Sequence, residues 1–400
     1  MIKLERLKKN IIELGWIGFN DDKDEGLPIG GRGITRLPFT PEYEEAARFV
    51  GDLMKKAGLE VWRDSVGNLF GALSSTDTDK MVIIGSHIDT VPQGGLFDGS
   101  LGVLSALECL QTLKENNYDN KNNLVVAAFI GEEGGEIGGT FGSRCFTSDV
   151  ELNQKEIDFL KKAGITPEDV KEAAINPEKL KCYLEMHIEQ GQVLETEGIP
   201  IAIVEGIVGI ARYKVTVKGK ANHAGTTPMH LRDDALVKAS REIIRLNKII
   251  NDLEGDLVGT VGELSLEPGA VNVIPGKVEF SIELRDMKKE NIDKVINQFK
   301  VENRSDIEVE DLLYKGGVYL AKKIQKVIEK AIHKNDYDYK YMTSGAGHDA
   351  NPLSRITPTG MIFVPSKEGI SHSPDEWTDW KYVEKGAEVM FETIKLLDQN

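Results

Sequence analysis

The sequence predicts an α/β protein with a second, α+β segment inserted into it. Three observations point that way. Continuous apolar runs near the start and end, such as Met81-Val82-Ile83-Ile84-Gly85 and Met361-Ile362-Phe363-Val364, read as strands buried on both faces. Between them, Arg212-Tyr213-Lys214-Val215-Thr216-Val217-Lys218 alternates apolar and polar residues, as a strand with one wet face does. A chain of 400 residues also exceeds what one hydrophobic core usually serves. The simplest division is a body of residues 1–209 and 316–400, with 210–315 inserted.

The elements follow from local signals in chain order. Thr40 to Leu59 reads as a helix, with Pro41 at its first position and Gly58 to end it. The run Met81–Gly85 delivers His87 and Asp89 at its end. A helix follows from about Gly99 to Asn116, and the apolar strand Leu124–Ile130 runs directly into Gly131-Glu132-Glu133. Strand, helix, strand is βαβ order, and polar residues at the strand ends place a site at the carboxyl edge of the sheet. In the insert, the strand Arg212–Lys218 is followed by a helix from about Arg232 to Ile250, with Leu236, Ala239, Ile243, Leu246 and Ile250 on one stripe. Strands near Leu257–Glu263 and Val278–Arg285, a helix near Lys288–Phe299 and a strand near Asp306–Asp311 complete a ferredoxin-like order. A helix beginning near Tyr319 and the strand Met361–Val364 return to the body.

Composition removes several functions. A formal net charge of -16 leaves nothing to neutralise a phosphate backbone, so no nucleic-acid partner is expected. No apolar run approaches the ~18 residues of a membrane span, and Met1-Ile2-Lys3-Leu4-Glu5-Arg6 is charged, unlike a signal peptide. Cys109, Cys145 and Cys182 are an odd number without CxxC spacing, which indicates neither a disulfide framework nor a thiolate metal site. A cytoplasmic protein with no membrane partner is expected.

The chemistry concentrates in histidines and carboxylates. Only seven histidines occur, and five lie in polar, Gly-rich settings at predicted strand ends or loops. Gly85-Ser86-His87-Ile88-Asp89 places Asp89 where its carboxylate can take the second N–H of a metal-binding His87 ring. In Gly94-Gly95-Leu96-Phe97-Asp98-Gly99, Asp98 precedes a helix, where a short carboxylate can bridge two cations and can also cap the helix, two roles that do not exclude one another. Glu132 and Glu133 project oppositely, so one can ligate metal while the other handles protons.

These motifs together resemble the dinuclear metallohydrolase superfamily that includes aminoacylases and glutamate carboxypeptidases. Glu185-Met186-His187-Ile188-Glu189-Gln190-Gly191 narrows the resemblance to N-carbamoyl-L-amino acid hydrolases, β-ureidopropionases and allantoate amidohydrolases. So do Asn222-His223-Ala224-Gly225, Gly269-Ala270-Val271-Asn272, Glu283-Leu284-Arg285-Asp286 and Gly345-Ala346-Gly347-His348-Asp349. The resemblance implies a mixed-sheet αβα metallopeptidase-type catalytic domain with an inserted ferredoxin-like lid and dimerisation domain. It implies that His87, Asp98 and His187 hold one metal, that Asp98, Glu133 and His372 hold the other, and that Glu132 is the general base. Two divalent ions are implied, and mixed imidazole and carboxylate ligands suit Zn²⁺, Mn²⁺ or Co²⁺.

The resemblance also assigns the substrate contacts. His223, on the insert, would stabilise the oxyanion, in its own subunit or across a homodimer. Arg285 offers a planar fork for a substrate carboxylate, with Asn272, Gln190 and His348 completing the pocket. His230 and His333 are expected on the surface. The peptidase relatives carry a carboxylate where this chain has His187, which favours a small carboxylate-bearing ureido substrate. N-carbamoyl-L-amino acids come first, with allantoate and N-carbamoyl-β-alanine behind them, and a dipeptidase or aminoacylase as the nearest rival. Leu96 and Glu136-Ile137 depart from the patterns GGRFDG and EEGxRF of many relatives and leave substrate preference open.

Overall fold

The continuous apolar runs become the middle of a large sheet, seen in a computed structural model that describes residues 1–19, 26–300 and 305–399. In chain order the first strands are β1 (Glu60–Arg63), β2 (Leu69–Leu73), β3 (Met81–His87), β4 (Asn123–Phe129), β5 (Leu180–Ile188) and β6 (Ile201–Ile207). Next come β7 (Gly209–Lys218), β8 (Asn222–His223), β9 (Val258–Thr260), β10 (Leu264–Glu267), β11 (Val273–Ile274), β12 (Lys277–Asp286) and β13 (Ile307–Lys315). The last are β14 (Val318–Tyr319), β15 (Tyr339–Ser344) and β16 (Thr359–Val364). The chain divides into two units, Met1–Glu205 with Tyr319–Asn400, and Gly206–Val318.

The first unit is built on a nine-stranded mixed sheet of order β1-β2-β4-β3-β5-β16-β6-β14, with β15 also pairing with β6. Its centre is parallel: β3 pairs with β4 and β5, and β5 with β16. These strands are buried along almost their whole length, as continuous apolar sequences require. Because they are parallel, their carboxyl ends lie at one edge, and every loop that follows them emerges there. The helix Ser100–Glu115 between β3 and β4 is itself buried on nearly all sides. The helix Pro41–Lys56 starts as expected, with the Thr40 side chain accepting the Tyr43 N–H and Pro41 filling the first turn.

The second unit has a five-stranded sheet of order β10-β12-β7-β13, with β9 on β12. Along β7 and β12 burial alternates residue by residue, so one face is covered. Ala239 and Leu246 of the helix Ala235–Asn251, with Val295 and Phe299 of the helix Lys289–Lys300, share a core with Val215, Val217, Phe280 and Ile282. This is the ferredoxin-like order. Of the strand expected over Leu257–Glu263, only Val258–Thr260 is formed, as β9, and β10 begins beyond it at Leu264. Between them, Ser281 Oγ accepts the Glu263 N–H at 3.0 Å, interrupting the regular ladder. The helix expected from Tyr319 begins at Lys322, because Tyr319 is in β14.

Arg36 ties the first unit together beneath the sheet edge. It is wholly buried, and its guanidinium donates to the carbonyls of Ile88 (3.0 Å), Leu14 (3.1 Å) and Ile17 (3.0 Å) and to Ser100 Oγ (3.1 Å). The Leu14 carbonyl belongs to the last turn of the helix Leu4–Gly15, which has no intrahelical donor for it. Burial lowers the Arg36 pKa to about 10, with the Asp89 charge opposing that fall. Arg36→Met is expected to leave the Ile88 and Ile17 carbonyls without this donor, while the Leu14 carbonyl keeps the Ile17 N–H (3.1 Å), and to lower unfolding stability by about 3 kcal/mol in a urea titration. A loss below about 1 kcal/mol would show that the arginine is not a structural tie.

Candidate metal centre

The parallel order of β3 and β5 brings two histidines side by side. His87 ends β3, His187 is next to last in β5, and their ring centroids are 5.8 Å apart. Each ring is oriented through Nδ1, which lies 3.0 Å from the Asp89 carbonyl in His87 and 2.9 Å from the Ile188 carbonyl in His187. An Nδ1–H given to a carbonyl leaves Nε2 as the lone-pair nitrogen, the tautomer a metal needs. Both Nε2 atoms face Asp98 Oδ1, at 3.7 Å from His87 and 3.1 Å from His187. The other oxygen, Oδ2, lies 3.1 Å from His372 Nε2 and accepts from Gln190 Nε2 at 3.1 Å. His372 Nε2 is also 3.4 Å from Glu133 Oε2, and His87 Nε2 is 3.7 Å from Glu132 Oε2.

Two expectations resolve differently in detail. The Asp89 carboxylate does not take the His87 ring N–H; Oδ1 stays 3.9 Å from Nδ1, and the carbonyl of the same residue does that work. The carboxylate instead accepts the backbone N–H groups of Gly131 (3.0 Å), Glu132 (3.3 Å) and Glu133 (3.1 Å), fixing the loop after β4. Asp98 is not a helix cap. The capping position is Gly99, without a side-chain bond, so the Asp98 carboxylate is left to the imidazoles.

The electrostatics are uneven. Burial opposes ionisation of Asp98, but its contacts with His187 and His372 hold it well below the usual carboxylate range. Burial, and next the charge of Asp98, pushes Glu133 up to about 10. Burial and then the neighbouring Glu133 push Glu132 well above its ordinary value. For His187, burial works downward, but its contact with Asp98 prevails and lifts it to about 9.

The residues fit divalent cations. Their ligand atoms form triads, His87 with Asp98 and His187, and Asp98 with Glu133 and His372, so that Asp98 is shared. His87, Glu132 and Glu133 form a further overlapping triad. Glu133 Oε1 is buried and accepts no hydrogen bond from the described residues, as an oxygen reserved for a ligand would be. The donor set is imidazole nitrogen and carboxylate oxygen, since all three cysteines are buried apart from it.

Gln190 and His348 join this group. The Gln190 side chain reaches Asp98, Ser371 and His372. The buried His348 ring lies 4.6 Å from that of His187. Ser344 Oγ donates to the Ala346 carbonyl, so it accepts from His348 Nε2 (2.8 Å), leaving His348 Nδ1 an acceptor.

His223, Asn272 and Arg285 belong to the second unit. The β8–β11 ladder pairs His223 with Val273, beside Asn272. His223 is exposed, and its Nδ1 accepts the N–H groups of Gly225 (3.0 Å) and Thr226 (3.2 Å), which puts the ring proton on Nε2. Arg285 is bonded to Glu283 (2.8 Å), which also accepts from Arg212. His230 and His333 are exposed.

Sequence reasoning missed β5 as a strand and two acids beneath the site. Glu185, wholly buried in β5, accepts from Ser86 Oγ (2.7 Å) and the Ala350 N–H (2.9 Å). Glu376 accepts the N–H groups of Phe97 (2.8 Å) and Asp98 (3.0 Å). The available signal was a charged residue in an otherwise apolar context, next to a candidate ligand.

Residues 83–396 match the model of peptidase family M20/M25/M40. The chain is 39% identical to an N-carbamoyl-L-amino acid amidohydrolase of Geobacillus stearothermophilus, over 100% of both chains. It is 34% identical to an allantoate amidohydrolase of Bacillus subtilis, over 90% of this chain and 92% of the relative. A solved amidase of the hydantoinase/carbamoylase family from Burkholderia multivorans superposes with a TM-score of 0.87 at 28% identity, covering 100% of this chain and 98% of the other.

Gly99 offers a direct test of the centre. Its φ is +63°, and a Cβ built there would lie 2.4 Å from His87 Nε2. Gly99→Ala is expected to displace the ring and weaken metal binding by about tenfold or more, measured by metal analysis after dialysis. Full metal content in a folded Gly99→Ala protein would show that His87 does not bind metal.

Proposed function

The chain belongs to peptidase family M20/M25/M40, and on that premise we propose that it is a metal-dependent amidohydrolase that cleaves the carbamoyl C–N bond of N-carbamoyl-L-amino acids. The products are the amino acid, CO2 and ammonia. The observation that carries this reading is the single carboxylate, Asp98, shared by two ligand triads with Glu132 beside them, in a chain alike along its full length to a carbamoyl amidohydrolase. Two divalent cations, Zn²⁺, Mn²⁺ or Co²⁺, would be held by His87, Asp98 and His187 and by Asp98, Glu133 and His372. Bound there, they would lower the pKa of water and polarise a carbonyl.

Glu132 then has the role of general base. Its raised proton affinity suits a group that takes a proton from the attacking water and passes it to the leaving nitrogen. His223 presents Nε2–H, a neutral donor matched to a developing oxyanion. Arg285 would anchor the substrate carboxylate, with Asn272 and Gln190 as amide donors and His348 Nδ1 as an acceptor for a substrate N–H. His187 replaces a carboxylate ligand by neutral imidazole, which leaves the cation pair more positive and suits the electron-rich ureido carbonyl. Met229, Leu231 and Val271 lie close in sequence to His223 and Asn272 and are 77%, 66% and 106% exposed, which supports a homodimer formed through this unit. Allantoate is the second reading, supported by the Bacillus subtilis relative.

Purified protein is expected to release ammonia and free amino acid from N-carbamoyl-L-amino acids, to lose this activity on chelation and to regain it with Mn²⁺, Zn²⁺ or Co²⁺. Turnover of acetylated amino acids or dipeptides, with none of any ureido acid, would overturn the assignment. His223→Ala is expected to lower kcat about a hundredfold, the size of one lost oxyanion donor, while bound metal stays at the wild-type level. Parallel loss of metal would make His223 a ligand or a folding residue instead.

A further inference from the structure

We propose that Glu376 is a positioning residue that locks the Asp98 loop and the His372 loop into one register, and that the second cation's affinity depends on this lock. The inference rests on the two-cation reading above. Glu376 is wholly buried and uses both oxygens. Oε1 accepts the amide N–H groups of Phe97 (2.8 Å) and Asp98 (3.0 Å), and Oε2 accepts the Ser371 hydroxyl at 2.9 Å. Ser371 adjoins His372, and its Oγ also lies 3.3 Å from Asp98 Oδ2. One carboxylate thus joins two loops separated by more than 270 residues of chain. The junction is close-packed: a Cβ at Gly95 would lie 2.3 Å from Glu376 Cδ, so glycine is required where the loop crosses the acid.

The two ligand groups do not depend on this junction equally. His87 and His187 stand at the ends of paired parallel strands, and the Asp98 carbonyl accepts the Ser100 N–H at the start of a helix. His372 has no such support. It is half-exposed, sits on a loop, and has φ +53°, a conformation that a non-glycine residue keeps only when its surroundings hold it. The turn that carries it is closed by the Glu376 N–H on the Ser373 carbonyl and anchored by the Glu376 carboxylate on Ser371. Without that anchor, His372 and the Oδ2 side of Asp98 lose their common reference.

The test is calorimetric titration of the metal-free protein with Zn²⁺, with thermal unfolding as the check on folding. Wild type is expected to bind two ions; binding of one alone would sink the two-cation reading itself. In Glu376→Ala the tighter ion should bind within about threefold of wild type and the second about tenfold or more weakly. Glu376→Gln, whose carbonyl still accepts both amides and whose amide N–H can donate to Ser371 Oγ in place of accepting from it, should recover most of the second affinity. Two ions bound as in wild type by Glu376→Ala, or equal weakening of both, overturns the inference and leaves the two-cation reading standing. Should Glu376→Ala not fold, Ser371→Ala decides, because it releases only the His372 side. Weakening of the second ion alone supports the lock, and any other result refutes it.

Discussion

Burying Asp98, Glu132 and Glu133 together at the end of a parallel sheet is the constraint to which the rest of the first unit responds. An ionised carboxylate in such a place is costly unless something pairs with it. Here the ion-pair partners described for all three are imidazoles. Two of those imidazoles, His87 and His187, are already turned by carbonyl contacts so that Nε2 faces the acids. The charge is then shared out unequally. Asp98 is held ionised by its histidines, and Glu133 and Glu132 are driven to keep their protons. A divalent cation resolves this conflict by taking the place of the protons. The arrangement is unfavourable for a protein without metal and favourable for one with it.

A second solution to the same problem recurs in the next layer. Asp89 accepts three consecutive amides after β4, Glu376 accepts two before the helix Ser100–Glu115, and Glu189 accepts those of Val193 and Leu194 after β5. In each case a buried acid is satisfied by backbone N–H groups, and in return fixes a loop at the sheet edge. Among the described residues no lysine or arginine hydrogen-bonds any of these three acids. The requirement for glycine at Gly95 and Gly99 follows from the same closeness, since a side chain at either would strike Glu376 or His87.

Legibility in the sequence tracked how local each signal was. The runs that became β3, β4 and β16 were readable because strands buried on both faces carry no polar residue until their ends. β5 escaped because Lys181, Glu185 and His187 interrupt its apolar pattern, although Glu185 and His187 are buried. Glu185 and His187 belong to the site, whereas Lys181 at the start of the strand reaches the Asp398 carbonyl, and function overrode the periodicity. The break between β9 and β10 was hidden for another reason. It depends on a hydroxyl in β12, a partner that lies far along the chain. Asp89 and Glu376 show the same limit at the site. That each is an acid beside a ligand is local, but which amides it holds is set by loops that meet only in the folded sheet.

Two of the four histidines outside the ligand triads, His223 and His348, show how little separates opposite chemical roles. The hydrogen bonds of the two rings occupy different nitrogens. In His223, two backbone amides point at Nδ1, so the proton must sit on Nε2 and the exposed tip is a donor. In His348, the Ser344 hydroxyl is committed to a carbonyl and accepts from Nε2, so Nδ1 is left an acceptor. A ureido group presents a carbonyl oxygen, which gains charge as the bond to water forms, and N–H groups, which do not accept. A donor suits the first and an acceptor the second. The tautomers are set by loop backbone and by a serine, so the discrimination belongs to the fold around each ring and not to the imidazole itself.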